Sequence, residues 1–335
     1  MKEYMLIPAM LNLFAGNTNV TTDSGLTNEM KTYYSDYLID LAEPELVHDQ
    51  FGQKQPIPKN GGKIIEFRKY DSLPKVLTPL TEGVTPDGQK LTMSVITSTV
   101  NQYGGYIELS DMLLLTAIDN NLLQATRVLA SQAGRTLDTI TREVLNGGPI
   151  VQYAEGQVES RSALSYTSKT ENCCLTVDAV RKAVRFLKLM NAPKINGGYV
   201  GIIHPDCSYD LMSDPKWVNV KSYSDPEGIF EGEIGRIEGV RFIESSEAKV
   251  FKGAGAGGRD VYSTLILGAD AYGVSEIGGG GLVHITKQLG SAGTADPLNQ
   301  RATAGWKATK TAERLVEQYM IRIECVSSFE DAPEN

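Results

Sequence analysis

Residues 121–148 read NLLQATRVLASQAGRTLDTITREVLNGG, and this stretch decides the fold of the chain. It predicts a single long helix. Asn121 followed by Gln124 resembles a capping box at the start, and Gly147 with Pro149 shortly after it is a strong stop signal. At 1.5 Å per residue such a helix is about 35–40 Å long, which is long for a globular domain. It therefore needs an extended surface to lie against.

One face of this predicted helix is apolar. The residues that recur at three- and four-residue spacing, and that we expect to face the core, are Leu122, Ala125, Leu129, Ala133, Thr136, Ile140 and Val144. Asp138 and Arg142 are four residues apart, and we expect them to pair on the outer face of the helix.

Length and composition limit the classes of protein that fit. The chain has 335 residues, 41% of them hydrophobic, which allows two or three domains with sizeable cores and excludes general disorder. Its 32 Lys and Arg against 41 Asp and Glu give a net charge of −9, which argues against sequence-specific nucleic-acid binding. This balance does not exclude nucleic acid that is held nearby by other means.

The cysteines and the N-terminal segment indicate a protein made in a cytoplasm. The cysteines form no CxxC pair, so we interpret them as reduced thiols; they are Cys173, Cys174, Cys207 and Cys325. No apolar run approaches the roughly 18 residues of a transmembrane helix. Residues 5–15 are interrupted by Pro8 and Asn12, so they predict a short N-terminal arm instead of a signal peptide. A helix is predicted to follow over residues 27–42.

Residues 56–109 differ from the rest of the chain. A strand is predicted around residues 64–70, a loop rich in proline and glycine follows, and β-forming residues resume from Leu91 to Leu109. Together they predict a long two-stranded excursion whose tip lies near residues 75–90. Because a lone two-stranded hairpin is marginal in water, this segment must fold onto its own domain or onto a neighbouring subunit.

The second half of the chain alternates helices and strands. Thr176 is expected to cap a helix over residues 177–191, and GGYVGIIHP, residues 197–205, is expected to contain a buried strand. A short helix over residues 206–213 and a long strand over residues 319–329 complete the outline. The pattern predicts an α+β or α/β core.

No motif predicts a catalytic, metal or cofactor site. The glycine runs at 253–258 and 278–281 lead into strands and lack the lysine of a phosphate-binding loop. His204 and Cys207 are a conceivable nucleophile and base, but they lie in HPDC, where the proline and aspartate more naturally start a helix. The three histidines are far apart, with no zinc-type spacing. We therefore expect no enzyme activity and no cofactor.

Several co-ordered segments resemble the major capsid proteins of tailed bacteriophages of the N-four-like group. They are LAEPELVHDQFGQKQPIPKNGGKIIEFRK at 41–69, LTEGVTPDGQKL at 80–91, QYGGYIELSDMLLLTAIDNN at 102–121, SQAGRTLDTITREVLNGG at 131–148 and GEIGRIEGVRFIES at 232–245. The resemblance extends from about residue 11 to residue 329.

The resemblance implies the Hong Kong 97 capsid fold, an α+β fold with four parts. Residues 1–50 would be the N-terminal arm and residues 51–109 the extended loop that lies over a neighbouring subunit. Residues 110–149 and 301–335 would form the peripheral domain with the spine helix, and residues 150–300 the axial domain. The residues expected at the subunit interface are Lys75, Leu77, Leu80, Glu82, Lys90, Leu91 and Met93.

The same resemblance implies the function and the partners. The protein would assemble in the bacterial host cytoplasm, as pentamers and hexamers, into the icosahedral capsid of a virion. Its partners would be other copies of itself, a portal, possible separate scaffolding or decoration proteins, and packaged double-stranded DNA bound without sequence specificity, with no membrane involved. Two alternatives stay open: the shell of an encapsulin-type nanocompartment, and a soluble enzyme that works through the HPDC turn.

Overall fold

The fold is that of a computed structural model, which describes residues 46–57, 62–70, 73–116, 121–154, 158–168, 172–217, 233–276, 282–291 and 296–329. Its helices are α1 (Asp111–Thr116), α2 (Asn121–Asn146), α3 (Val177–Leu189) and α4 (Pro205–Met212). Its strands are β1 (Gln53–Gln55), β2 (Ile64–Tyr70), β3 (Met93–Thr99), β4 (Asn101–Ser110), β5 (Val151–Tyr153), β6 (Tyr199–Ile203), β7 (Glu233–Ile237), β8 (Val240–Glu244), β9 (Val250–Phe251), β10 (Val261–Leu267), β11 (Tyr272–Ser275), β12 (Leu282–Lys287), β13 (Arg301–Lys310), β14 (Ala312–Arg314) and β15 (Met320–Cys325).

The described strands form four sheets. The largest has seven strands in the order β5-β15-β10-β6-β8-β7, with β9 paired to β10. Two three-stranded sheets have the orders β12-β13-β4 and β1-β11-β14, and β2 pairs only with β3. Most neighbours are antiparallel, and the parallel pairs are β1–β11, β5–β15 and β6–β8. Mainly antiparallel sheets with packed helices make an α+β fold, as predicted.

The predicted long helix is present as α2, and its last residue, Asn146, directly precedes the glycine stop signal. Most of α2 lies on the β12-β13-β4 sheet, where Leu129, Ala133 and Leu137 share a buried cluster with Trp306. Leu145, near its end, belongs to a second cluster that includes residues of the β1-β11-β14 sheet and of the largest sheet. The helix therefore has the extended support that its length requires.

The buried face of α2 is broader than the predicted stripe. Ala125, Leu129 and Ala133 are buried as expected. Of the other predicted core residues, those whose side chains the structure describes are half-buried: Thr136, Ile140 and Val144. Leu137 and Leu145 are buried in their place. The difference arises because the helix is covered from more than one side.

The predicted outer-face pair of Asp138 and Arg142 is wrong, because both side chains are buried. Asp138 accepts a hydrogen bond of 2.7 Å from the backbone nitrogen of His48. Arg142 donates from Nη1 to the carbonyl oxygen of Glu247 at 2.7 Å. Two distant segments thus cover the face that the spacing within the helix assigned to solvent.

The largest sheet carries α3 and α4. The side chain of Thr176 accepts a hydrogen bond from the backbone nitrogen of Ala179 at 3.2 Å, which confirms the predicted helix cap. Strand β6 is buried along its whole length, as expected for GGYVGIIHP. α4 begins at Pro205 with His204 as its N-cap residue, and β15 is the predicted C-terminal strand, shorter than expected.

The predicted division into domains stays a prediction, although two strands bear on it. β12, from the expected axial segment, pairs with β13, and β15, from the expected peripheral segment, lies between β5 and β10 in the largest sheet. Apart from residues 46–50, the predicted N-terminal arm and its helix over 27–42 lie outside the described residues. No helix in the described ranges combines the length and apolar character needed to cross a bilayer.

Candidate intersubunit surface

Strands β2 and β3 form an antiparallel ribbon that no other strand of the described chain joins. Its register runs without a break from Ile64 opposite Thr99 to Tyr70 opposite Met93. β4 starts directly after β3 but pairs with β13 in another sheet. The predicted two-stranded excursion is therefore correct for β2 and β3, and the continuation to residue 109 belongs to the body of the protein.

Phe67 fixes the base of the ribbon to the β1-β11-β14 sheet. Its buried ring lies over the backbone of Gly273 in β11, where a methyl group would come within 2.6 Å of Cδ1 of the ring. Ile65, on the same face of β2, is also buried. From β3, Ser98 Oγ forms a hydrogen bond of 2.6 Å with Thr311 Oγ1. The base of the ribbon is thus held by the buried side chains of Phe67 and Ile65 and by the hydrogen bonds of Ser98.

Beyond this base, residues 73–92 contain no helix or strand and are exposed throughout. We call this segment the loop. Its apolar side chains that are at least half exposed are Leu73, Val76, Leu77, Leu80, Val84 and Leu91. Leu77 is 85% exposed, close to the value of an unfolded chain. A concentration of exposed apolar side chains in one segment indicates a site of interaction with another macromolecule.

The residues predicted at the interface lie together on this exposed loop and at its junction with β3. They are Lys75, Leu77, Leu80, Glu82, Lys90, Leu91 and Met93, and all of them are exposed. Their role in subunit contacts stays a prediction.

A second exposed apolar surface lies on the β12-β13-β4 sheet, on the face opposite α2. Gly104 and Gly305 give this face no side chains at its centre, and they leave a groove of about 350 Å³. Tyr106, which is 70% exposed, borders the groove together with Ile285 and Lys307. The groove is shallow and open, which suits an extended segment better than a small molecule.

Residues 46–51, which we call the strap, cross α2 through buried polar contacts. Nδ1 of His48 is 2.6 Å from Oδ2 of Asp138. Asp49 accepts a hydrogen bond of 2.5 Å from Thr141 Oγ1, and its other carboxylate oxygen pairs with the fully buried ammonium of Lys310. Each buried carboxylate therefore faces a basic side chain, and the strap joins α2 to the end of β13.

Tyr272 completes these contacts by donating its hydroxyl hydrogen to the carbonyl oxygen of His48. Burial, together with the nearby Asp49, raises the pKa of Tyr272 well above its usual value. The hydroxyl consequently remains a donor, and the strap is tied to β11 as well as to α2.

Sequence patterns identified the loop but not the groups that position it. The contact of Phe67 with Gly273 joins segments separated by about two hundred residues, and the strap contacts join segments between about ninety and about 260 residues apart. Glycine in the strand pattern AYGVS was the one available signal, since a glycine inside a strand often marks the close approach of another chain segment.

The HPDC turn has the structural role favoured by its sequence. Nδ1 of His204 accepts a hydrogen bond from the backbone nitrogen of Asp206 at 3.2 Å, and burial lowers the pKa of His204. Cys207 is fully buried, and burial raises the pKa of its thiol well above the usual value. A thiol held in its neutral form is a poor nucleophile. Within the described ranges, no group of three or more potential metal ligands is present.

Comparison with known proteins adds independent findings. A family model described as phage capsid protein matches residues 79–285. No curated protein matches the chain.

The fold is similar to that of several solved phage capsids. The capsid of Ralstonia phage GP4 has a TM-score of 0.60 at 13% identity, over 85% of this chain and 87% of that one. The capsid of cyanophage P-SCSP1u has a TM-score of 0.60 at 14% identity, over 83% of this chain and 87% of that one. The capsid of cyanophage Pam1 has a TM-score of 0.60 at 14% identity, over 98% of this chain and 100% of that one. At these identities the likeness is one of fold.

Proposed function

This chain belongs to the phage capsid protein family, and we propose that its copies assemble as pentamers and hexamers into a phage head shell with the Hong Kong 97 architecture. It is a major capsid protein, the structural subunit of a phage head. Its assignment to the N-four-like group is part of the proposal and is supported by the segments at 41–69, 80–91 and 232–245. We further propose that residues 51–100 are its extended loop and residues 150–300 its axial domain, and that β4 joins residues 110–149 and most of 301–335 in its peripheral domain.

The observation that carries the proposal is the loop. It presents leucine side chains to solvent at the end of a ribbon that is anchored only at its base. Burying a leucine that is now exposed contributes about 1.5–3 kcal/mol, so several of them supply a substantial driving force for contact with another copy. Loops that lie on the next copy in one direction around a ring make heterologous contacts, which close into rings of five or six.

We propose that the glycine groove beside Tyr106 receives the neighbouring loop. The groove is open, it is apolar at Tyr106 and Ile285, and Lys307 at its border can meet Glu82 or Asp87 of an incoming loop. The contact would bury two surfaces that are exposed in the single subunit. Both surfaces lie outside the network of the strap, so docking need not disturb the subunit.

The remaining partners follow from the same proposal. The packaged double-stranded DNA would be enclosed without sequence-specific contacts, since a chain with a net charge of −9 offers no overall attraction for phosphates. A portal would complete the head, together with separate scaffolding or decoration proteins where these are used. Assembly would take place in the host cytoplasm, and no membrane would be involved.

Deleting residues 73–90 tests the role of the loop. We expect soluble subunits or capsomers with normal secondary structure that do not form closed shells, as seen by negative-stain electron microscopy. The double substitution Leu77→Asp and Leu80→Asp should have the same effect, because charged side chains cannot be buried at the contact without a large desolvation cost. Tyr106→Asp, on the groove, should reproduce this defect.

The matched control is Leu77→Met with Leu80→Met, which retains apolar side chains of similar volume and should assemble normally. Closed shells from the deletion variant would refute the role given to the loop. Purified wild-type particles that contain a protein cargo and no nucleic acid would instead favour the nanocompartment alternative.

A further inference from the structure

Two thiols from distant parts of the chain are in contact in the hydrophobic cluster of the seven-stranded sheet. Sγ of Cys207 lies 3.4 Å from Sγ of Cys325, and the residues are 118 positions apart in sequence. Both are fully buried. Cys207 is in the first turn of α4, and Cys325 is the last residue of β15. No function assigned above uses either residue.

The surroundings keep this pair reduced while the core is closed. Cys325 Sγ is 3.9 Å from the carbonyl oxygen of Tyr262, so its S–H can donate there while it accepts from Cys207. Burial raises the pKa of Cys207, so little of the reactive thiolate forms in the closed core. Solvent also has no access to either sulfur.

The geometry is nevertheless close to that of a disulfide. A disulfide bond is about 2.05 Å long, so the sulfurs need to approach by roughly 1.4 Å. Such a movement is within the reach of small side-chain rotations. α4 is eight residues long with its opposite face exposed at Tyr209, whereas β15 is buried on both sides. Local opening of α4 is therefore the easier way to expose a sulfur.

We propose that Cys207 and Cys325 are a latent disulfide, reduced in the newly made protein and closed by a small-molecule disulfide without a change of fold. When α4 opens, the Cys207 thiol loses its proton and its thiolate attacks the oxidant, which releases one small thiol. The Cys325 thiolate then attacks the mixed disulfide and releases a second small thiol. Two S–H bonds are lost, one S–S bond forms, and the oxidant is reduced to two thiols.

Formation of the disulfide would link α4 to β15 and enclose more than a hundred residues of chain between the two cysteines. A cross-link of this span restricts the unfolded chain strongly, so the oxidised protein should be more stable than the reduced one. A protein made in a reducing compartment would thus become more resistant after release into an oxidising one. This inference does not depend on the contacts proposed for the loop.

The full-length protein, treated with hydroxyethyl disulfide, provides the test. Intact mass should fall by two hydrogens, and peptide mapping without reduction should join the peptides of Cys207 and Cys325. The thermal unfolding midpoint should rise by about 5–10 °C and return after reduction. Cys207→Ala should abolish both effects, and Cys174→Ala, at a neighbouring buried thiol, should retain them.

Three results would overturn the proposal. They are four free thiols after exhaustive treatment, a cross-link that involves Cys173 or Cys174, and a cross-link that forms only with loss of the native circular dichroism spectrum. Because mapping is carried out on the wild-type chain, the test does not depend on whether any variant folds.

Discussion

Replacing Gly273 by alanine should loosen the loop at its base while leaving the rest of the subunit folded. The methyl group would lie 2.6 Å from Cδ1 and 2.8 Å from Cζ of Phe67, well inside contact distance. The Phe67 ring is 1% exposed and packed, so it must shift or leave its site. Overpacking of this kind costs about 1–3 kcal/mol.

The free-energy cost of Gly273→Ala can be measured as a change in amide hydrogen exchange. A cost of about 2 kcal/mol, close to the contribution of a buried phenylalanine, changes the equilibrium between the docked and the detached ribbon about thirtyfold. Amide hydrogen exchange should therefore be roughly thirtyfold faster at the hydrogen-bonded amides of β2 and β3, which report local opening. Exchange in α2 and in the largest sheet should be unchanged, and the yield of closed shells should fall.

Two further variants make this prediction specific. Gly88→Ala adds the same methyl group in the loop, where no described atom lies within 4 Å, and should change nothing. Phe67→Leu should restore part of the protection in the Gly273→Ala background, since the smaller side chain leaves space for the methyl group. If Gly273→Ala retains wild-type exchange in β2 and β3, the Phe67 contact does not hold the ribbon.

Two other predictions concern buried polar groups. Lys310→Met leaves Asp49 buried without its cation and should lower the free energy of unfolding by about 3–5 kcal/mol in urea denaturation. Adding Asp49→Asn should recover part of this loss. A double variant as unstable as the single one would contradict the pairing. For His204, burial lowers the pKa, so the unfolded chain binds more protons and stability should fall as the pH drops below about 6.5. His204→Asn keeps a cap acceptor but cannot titrate, so its unfolding midpoint should fall less between about pH 7.5 and pH 5.5, and an equal fall in both proteins would argue against this group.

Local patterns predicted the long elements of this fold well. α2 is the predicted helix because its periodic apolar residues and its glycine stop agree over a long stretch. The predictions of α3 and β6 are also confirmed, because α3 has a capping threonine before its apolar stripe and β6 is a short apolar run. The loop could also be identified, because its prolines and glycines interrupt two runs of β-forming residues.

The sequence patterns did not predict which other segments of the chain pack against each helix and strand. Asp138 and Arg142 looked like an exposed pair because spacing within a helix says nothing about segments that arrive from elsewhere. The strap and the turn at Glu247 cover that face and supply the partners instead. The β-rich run after Leu91 predicts one continuous strand, although β3 and β4 belong to different sheets, because residue patterns do not specify strand partners. The contact between Gly273 and Phe67 could not be predicted from the sequence, because no pattern in it shows that β2 and β11 pack together.

The buried charges beneath the strap determine where this polypeptide can be shortened. A chain cut before Leu46 would retain His48 and Asp49, so Asp138 and Lys310 would keep their partners. A cut only a few residues later, after Phe51, would remove His48 and Asp49, so Asp138 and Lys310 would each lose the partner that now faces them. A difference of six residues thus decides whether Asp138 and Lys310 beneath the longest helix keep their partners, which matters to anyone grafting a tag or a foreign peptide near this segment.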